Sequence, residues 1–483
     1  YVLLTHAHID HSGMIPKLVK DGFKGEVVST FATSDLCNIM LRDSAHIQEF
    51  EAEWRNRKGR RAGYPEYEPV YVMEDALNAI ELFSPCGYGQ RIQLCEGIEV
   101  RFTDVGHLLG SSSIEVWVTE DGEQRKIVFS GDVGNHNQPI LREPTYTEEA
   151  DYVVIESTYG NRLHSTEKVD YIGTFTQIVK ETFDKGGNVV IPSFAVGRTQ
   201  ELLYFIREIK EQNLLPEYSD FEVYLDSPLA IEATKVFTKN MKGCFDEAAL
   251  KLVNSGINPL VFPGLKISTG SEDSKQINFI ERPKVIISAS GMCEAGRIRH
   301  HLKHNLWREE CTILFVGYQA GGTLGRRILE GEKEVKLFGE TIEVRARIES
   351  LKGISGHADL DGLLNWLEGF KKTPKRVFVV HGEDTVTEEF AQTVEEKFGC
   401  PAFAPFPGGE ADLITDEILS EGVRIPVKTK KPVQKKADAA TERLLSAARW
   451  LMEVAAKCEG MANKDKAKFE SQILNLADKW EIR

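Results

Sequence analysis

Residues 5–13 read THAHIDHSG and place four potential metal ligands, His6, His8, Asp10 and His11, within six positions. Side chains two apart in an extended segment point to the same face, so His6 and His8 face one ion. Asp10 and His11 lie on the turn into a helix, where they can face a second ion. Imidazoles and carboxylates without a thiolate suit zinc, with manganese or iron as alternatives.

Two ions need more ligands than this stretch holds, and the chain offers polar residues where short β-branched runs end. His107 follows EGIEVRFTDVG, Asp132 ends QRKIVFSGD, Glu156 ends ADYVVIE, and His381 follows RVFVV. Strand ends and the loops after them commonly carry chemistry. Each residue also has an ordinary explanation, because Gly-His and Gly-Asp steps occur in plain turns.

The composition is that of a soluble globular protein with two to three domains: 483 residues, 41% hydrophobic and 28% charged. No apolar run approaches the roughly 18 to 20 residues of a membrane span, and no signal peptide is evident. Eight cysteines without a C-x-x-C pair favour a reduced compartment. We therefore expect a cytoplasmic protein with no membrane partner.

The net charge of -15 does not indicate nonspecific nucleic-acid binding, because such proteins usually carry a basic face. A polyanionic substrate would need a local positive site, which bound metal ions can supply.

The pattern of apolar and charged residues changes along the chain. From about residue 161, continuous apolar strands alternate with helices, which indicates a parallel sheet covered on both faces and hence a separate α/β domain. Residues 428–438 are Lys-rich and read as a basic linker. Residues 439–483 show apolar spacing of three and four, which predicts a helical hairpin. The hairpin is a candidate contact for a homodimer, with a small capping subdomain as the equal alternative.

The ordered series THAHIDH, GH and SGD resembles the signature of the metallo-β-lactamase fold. The later series ESTYG, SGHAD and VHGE is similar to the motifs of its β-CASP branch, nucleic-acid-processing nucleases that include the cleavage-and-polyadenylation endonuclease and bacterial RNase J. Other stretches, among them LRDSAHIQE, PSFAVGRTQE, YLDSPLA and SASGMCEAGRIRHHL, resemble a prokaryotic subgroup of this branch. The resemblance covers roughly residues 1 to 427.

This resemblance implies an α/β fold: a metallo-β-lactamase αββα sandwich with an inserted parallel β-CASP domain and a C-terminal helical extension. The implied boundaries are 1–160 for the first part of the metallo-β-lactamase domain, 161–335 for the β-CASP domain, and 336–427 for the second part with its RNA-specificity motif. Relatives carry an N-terminal strand region and a further aspartate before THAHIDH. We therefore expect the intact fold to need sequence upstream of residue 1.

The resemblance also assigns roles to residues. It implies a first ion held by His6, His8, His107 and Asp132, and a second held by Asp10, His11, His381 and the bridging Asp132. His357 in SGHAD looks like the catalytic general acid, with another metal ligand or a helix-start histidine as its alternatives. Glu156 would orient it. A histidine at position 381 goes with RNA processors, which favours RNA over DNA.

The function implied is a dinuclear zinc ribonuclease, with manganese possible, in which water attacks and leaves 5′-phosphate and 3′-hydroxyl ends. Endonuclease and 5′–3′ exonuclease modes both remain open. No G-x-S-x-G elbow or Walker A loop offers a different chemistry. The alternatives are a noncatalytic RNA-binding scaffold and a small-molecule metallo-hydrolase of the same fold.

Two glycine-containing turns between a strand and a helix are candidate RNA phosphate sites, because exposed amides and a guanidinium suit an anion. Their residues are Ser193, Gly197, Arg198, Ser290, Gly291 and Arg297. The histidines without ligand spacing are expected to be solvated surface residues: His46, His136, His164, His300, His301 and His304.

Overall fold

The computed structural model describes residues 1–164, 170–351, 355–425 and 439–480. The chain divides into two compact units, Tyr1–Gly422 and Val423–Arg483. Among the described helices, none is both long and apolar enough to cross a membrane.

The first part of the larger unit alternates short strands with four helices before a run of antiparallel strands. Its strands are Val2–Leu3 (β1), Val27–Thr30 (β2), Phe83–Cys86 (β3), Arg91–Cys95 (β4), Ile98–Asp104 (β5), Ser112–Glu120 (β6), Glu123–Phe129 (β7) and Tyr152–Ile155 (β8). Its helices are Ile9–Ser12 (α1), Ile15–Lys20 (α2), Phe31–Ala62 (α3) and Met73–Glu81 (α4).

The middle of the chain alternates strand and helix, as the apolar runs predict. Its strands are Val189–Pro192 (β9), Glu222–Leu225 (β10), Leu265–Ile267 (β11), Lys284–Ser288 (β12), Thr312–Phe315 (β13), Glu334–Leu337 (β14), Glu340–Glu343 (β15) and Arg347–Ser350 (β16). Its helices are Tyr171–Asp184 (α5), Arg198–Glu211 (α6), Pro228–Lys239 (α7), Met241–Cys244 (α8), Glu247–Asn254 (α9), Ser271–Ile277 (α10), Ile298–Asn305 (α11) and Leu324–Leu329 (α12).

The larger unit ends with two further helices and four short strands. The helices are Leu360–Glu368 (α13) and Asp384–Phe398 (α14), and the strands are Arg376–Val379 (β17), Ala402–Phe403 (β18), Glu410–Asp412 (β19) and Glu417–Ser420 (β20). The strands β17 and β18 extend the sheet begun by β4 to β8, which therefore has the order β18-β17-β8-β7-β6-β5-β4.

Two facing sheets form the sandwich. The three-stranded parallel sheet β1-β2-β3 packs against β5 and β6 through an apolar cluster that includes Val28, Phe102 and Val116. The opposite face of the seven-stranded sheet carries α13 and α14, whose Trp366 and Phe390 are buried against the strands. The predicted αββα sandwich is confirmed.

A second, all-parallel sheet has the order β11-β10-β12-β9-β13-β16. Alternate residues of β9 point to opposite faces: Val189 and Ile191 join one apolar cluster, while Val190 joins another that contains Ile298 and Leu302 of α11. Helices therefore cover both faces, which explains why these strands are continuously apolar. This is the predicted inserted α/β domain.

One strand lies in a different sheet from the one its predicted domain implies. The boundary at 335/336 places residues 347–350 in the returning part of the sandwich, but β16 pairs with β13 in the six-stranded sheet, with Thr312 opposite Arg347. An apolar run predicts a strand without revealing its partner, so the sequence pattern could not make this distinction.

The smaller unit contains Ala439–Ala456 (α15), a 3-10 turn at Lys457–Gly460 and Asn463–Trp480 (α16). The predicted C-terminal helices are confirmed, while the predicted linker at 428–438 lies outside the described residues.

Candidate metal centre

Four side chains converge on one point where β1, β5 and β7 end. His6 Nε2 and His107 Nε2 each lie 3.1 Å from His8 Nδ1. Asp132 Oδ2 lies 3.4 Å from His6 Nε2 and 3.6 Å from His107 Nε2. Three imidazole nitrogens and one carboxylate oxygen thus lie together, and they belong to the four residues that the resemblance implies for the first ion.

A second group lies beside the first and contains Asp10, His11 and His381. Asp10 Oδ2 is 3.8 Å from His11 Nε2 and 3.5 Å from His381 Nε2. A hydrogen bond to Asp10 raises the pKa of His381 to about 9, and the same contact lowers the pKa of Asp10 to about 2. His381 follows β17 and adopts a positive φ of 51°.

Asp132 stands between the two groups and offers one oxygen to each. Its Oδ2 faces His6 and His107, whereas its Oδ1 lies 3.4 Å from His11 Nε2 and 3.6 Å from His381 Nδ1. Burial would raise the pKa of Asp132, but the surrounding imidazoles outweigh it and hold the pKa well below its ordinary value. A carboxylate so placed can bridge two cations.

The donor set fits metal ions by two tests. His11 Nε2 and Asp132 Oδ1 are buried and have no hydrogen-bond partner among the described residues, which is costly unless another group satisfies them. Burial also lowers the pKa of His8 to about 4 and depresses the pKa values of His6 and His107. These imidazoles are therefore neutral, which is the form that binds a metal.

Backbone groups on the side away from the centre help to orient the ligands. His107 Nδ1 lies 2.9 Å from the Gly356 carbonyl oxygen, so it can donate there and leave Nε2 free for the centre. Gly134 and His357 form an isolated β-bridge, which joins the loop after Asp132 to the SGHAD segment. The backbone before His357 thus positions a ligand supplied by a distant strand.

His357 and Glu156 lie beside the centre. His357 Nδ1 is 3.4 Å from Glu156 Oε1 and 4.0 Å from Asp132 Oδ2. Glu156 is fixed by the Val133 amide, which donates to its Oε1 at 2.6 Å. Burial would lower the pKa of His357, but the charge and hydrogen bond of Glu156, together with the charge of Asp132, outweigh burial and raise that pKa. The pair therefore has the contact that the sequence resemblance implies.

Glu156 also has a feature that sequence reasoning missed. Its carboxylate belongs to a third group of possible ligand atoms, with Asp132 and His381, that all lie within 4.8 Å of one another. The strand-end position of Glu156 was the available signal.

The first candidate phosphate site is already largely engaged by its own turn. Ser193 Oγ lies 3.0 Å from Thr199 Oγ1, and the Gly197 amide donates to Gln200 Oε1 at 2.7 Å. Arg198 pairs with Glu201. A phosphate would have to compete with these contacts.

In the second candidate site, Arg297 has an internal role. Its Nη1 donates to Asp226 Oδ1 at 2.7 Å and its Nη2 donates to the Thr269 carbonyl oxygen at 2.7 Å. Ser290 Oγ donates to the Ala295 carbonyl oxygen at 3.3 Å within the same turn. The guanidinium thus joins two loops of the inserted domain, and phosphate binding by Ser290 and Gly291 stays a prediction.

Three of the remaining histidines differ from the expected solvated surface. His301 is fully buried, with Nε2 2.6 Å from Asp226 Oδ2. His164 is half-buried, and its Nε2 lies 2.9 Å from the His357 carbonyl oxygen. Because His301 lies among polar residues in the sequence, the pattern did not indicate that α11 has a buried face. His46, His300 and His304 are exposed as expected, and His136 is half-buried against Glu143.

Fold and site together define a metallo-β-lactamase-type centre served by an inserted parallel domain. Family models match in the same order: the metallo-beta-lactamase superfamily at residues 1–169, the Beta-Casp domain at 199–328, and the Zn-dependent metallo-hydrolase RNA specificity domain at 341–405.

Three relatives extend this similarity over most of the chain. Ribonuclease TTHA0252 of Thermus thermophilus is 36% identical over 383 residues, 79% of this chain and 81% of the relative. An RNase J-like protein of Methanocaldococcus jannaschii is 31% identical, over 84% of this chain and 87% of the relative. Transcription termination factor FttA of the same organism is 30% identical over 84% of this chain, but the match spans only 62% of FttA. The chain belongs to the β-CASP family of the metallo-β-lactamase superfamily.

Proposed function

We propose that this protein hydrolyses RNA phosphodiester bonds with two zinc ions, or manganese in their place, to give 5′-phosphate and 3′-hydroxyl ends. The observation that carries the proposal is Asp132, whose two carboxylate oxygens face two separate groups of ligands. The match to an RNA specificity domain and the similarity to a protein named as a ribonuclease support RNA as the substrate.

The ligand residues would hold the ions as two adjacent sets that share Asp132: His6, His8 and His107 on one side, and Asp10, His11 and His381 on the other. Bound there, such ions would supply Lewis-acid charge that stabilises the phosphate. They would also lower the pKa of water enough for it to lose a proton at neutral pH. The nucleophile is then external to the protein, so no serine or cysteine of the chain needs to attack.

His357 would supply the proton for the leaving 3′ oxygen. Its Nδ1 faces Glu156 Oε1 at 3.4 Å, which leaves Nε2 as the atom that can donate to substrate. Glu156 is held by the Val133 amide, so it can position the ring and favour its protonated form. A positioned imidazole of this kind typically contributes roughly 10²- to 10⁴-fold in rate.

The test separates the proton donor from the metal ligand. We expect His357→Ala to keep the parental metal content and lose roughly 10²- to 10⁴-fold in kcat on RNA. Asp132→Ala should lose both metal and cleavage. Metal content is measured by mass spectrometry of the purified variants, and His46→Ala serves as a control because His46 is exposed and belongs to none of the ligand groups.

Three results would contradict the proposal. Parental cleavage by His357→Ala would remove the general-acid role, and products ending in 2′,3′-cyclic phosphate would exclude attack by water. A metal-loaded parent that cleaves no RNA would favour a scaffold or a small-molecule hydrolase. Circular RNA assayed beside 5′-phosphorylated linear RNA separates endonuclease from exonuclease action.

A further inference from the structure

Two exposed aromatic side chains lie at the carboxyl edge of the six-stranded sheet. Phe194 comes two residues after β9 and is 40% exposed, and Tyr318, three residues after β13, is 61% exposed. Carboxyl ends of parallel strands, near points where the strand order reverses, are where α/β sheets bind ligands. β9 lies between β12 and β13, in the middle of this sheet.

The ring of Phe194 is supported by two neighbouring strand ends. A methyl group placed on Gly291, after β12, would lie 3.0 Å from Cδ2 of this ring, and one on Gly317, after β13, would lie 3.3 Å from Cε2. Bare backbone at both positions therefore lets the ring lie close against them. Side chains larger than hydrogen would push the ring away.

A buried glutamine ties these supports together. Gln319 Nε2 donates to the Gly291 carbonyl oxygen at 2.9 Å and to the Gly317 carbonyl oxygen at 3.2 Å. On the other side, Thr199 Oγ1 donates to the Phe194 carbonyl oxygen at 2.6 Å. The ring is thus fixed by three strand ends while part of its surface faces solvent, which is a preorganised arrangement.

The loop that carries Phe194 packs against the loop that carries a metal-ligand candidate. A methyl group on Gly197 would lie 3.4 Å from Cδ1 of Leu108, and Leu108 shares an apolar cluster with Ala195 and Val196. Leu108 directly follows His107. The loop that carries the ring therefore contacts the residue next to a metal-ligand candidate of the centre at which a phosphodiester would be cut.

We propose that Phe194 is a stacking platform for an RNA base that flanks the bond to be cleaved. This inference rests on the proposed RNA hydrolysis and adds a base contact to it. Stacking of a base on an aromatic side chain is tolerant of sequence, because every base has a π face. The platform would fix the strand without selecting a sequence.

Phe194→Leu keeps an apolar side chain of similar bulk but removes the aromatic face. We expect KM for single-stranded RNA to rise about 10-fold with little change in kcat, and Phe194→Trp to retain the parental KM. Metal content and hydrolysis of bis(p-nitrophenyl) phosphate, which has no base, should be unchanged. Phe279→Leu is the matched control, because Phe279 is 68% exposed but lies before β12, at the opposite edge of the sheet.

A series of RNAs with one abasic nucleotide each separates stacking from a structural role. At one position near the cut, the abasic substitution should weaken binding of the parent about 10-fold and leave the Phe194→Leu variant unaffected. Additive losses at every position, or an unchanged KM in Phe194→Leu, would overturn the platform while leaving RNA hydrolysis standing. Failure of the parent to cleave any RNA would overturn the proposed function itself.

Discussion

Asp226 shows, at the scale of a single residue, how a charge can be buried in this domain. It is fully buried just after β10 and accepts hydrogen bonds from Ser274 Oγ at 2.6 Å and Arg297 Nη1 at 2.7 Å, with His301 Nε2 at 2.6 Å. Burial would raise the pKa of Asp226, but these three partners outweigh it and lower the pKa to about 2. The carboxylate thereby holds α10, α11 and two loops together.

We expect Asp226→Asn to destabilise the folded protein by about 3 kcal/mol at pH 7, because Arg297 and His301 lose their buried partner. Because the pKa of Asp226 is lower in the folded state, its contribution to the free energy of unfolding is complete at pH values above its pKa in the unfolded chain, near 4. That contribution is lost as the pH falls through about 2. Thermal unfolding from pH 7 to pH 3 checks this: the gap between parent and variant should stay constant to about pH 4 and then narrow.

The control for this measurement is Asp220→Asn, since Asp220 is exposed and pairs with exposed Arg282 at the surface. It should leave the midpoint almost unchanged. Equal stability of the parent and Asp226→Asn at pH 7 would contradict the role of Asp226.

The difference between Asp132 and Asp226 shows what the sequence could predict at this scale. Asp132 was identifiable because it falls in an ordered series of short motifs, beginning with the dense stretch at 5–13. The contact between Asp226 and His301 joins positions 75 residues apart. They lie in YLDSPLA and SASGMCEAGRIRHHL, which both resemble family stretches, but neither stretch indicates that the two side chains meet. Only the pairing of β10 with β12, which leads into α11, brings the two side chains together.

At the scale of elements, two glycines let the loops of the metal centre lie backbone against backbone. A methyl group on Gly134 would lie 2.3 Å from both the carbonyl carbon and the carbonyl oxygen of Gly106. Gly106 immediately precedes His107, and Gly134 follows Asp132 by two residues and bridges to His357. Close approach of these loops therefore sets the spacing of three site residues.

We expect Gly134→Ala to separate these loops, lower the metal content and reduce kcat, with a loss of stability of about 1–3 kcal/mol from overpacking. Metal stoichiometry and thermal midpoint on the same preparation measure both effects. Gly243→Ala is the matched control, because a methyl group at this helical position meets no atom within 4 Å. A Gly134→Ala variant with full metal content and parental kcat would show that the contact is dispensable.

Strands and helices were predicted correctly where one local run of residues determines whether the element forms. The β-branched runs predicted β5, β7 and β8, and the alternation of apolar strands with helices predicted the parallel domain. Membership of β16 in that domain depends on its pairing with β13, for which its own residues carry no signal. Local patterns therefore predict elements more securely than they predict sheets.

At the scale of the whole molecule, the candidate centre joins distant parts of one chain. Its ligands come from residues 6 to 381. The centre is therefore complete only when the chain has formed the first part of the sandwich, the parallel domain and then the rest of the sandwich. Residues that follow β1, β5, β7 and β17 meet there, and two of their buried atoms, His11 Nε2 and Asp132 Oδ1, have no hydrogen-bond partner among the described residues. Metal binding should therefore be coupled to the stability of the entire larger unit.

A ligand that binds only the folded state stabilises it by about 4 kcal/mol when present at about 1,000 times its Kd. We therefore expect a chelator to lower the thermal midpoint of the parent and added zinc to restore it. Asp132→Ala should show neither change, because it removes the shared ligand, while Asp21→Ala, at an exposed position outside the site, should respond like the parent. An identical midpoint for the chelated and zinc-loaded parent would mean that these seven side chains converge without binding a metal, because a bound ion must raise the free energy of unfolding.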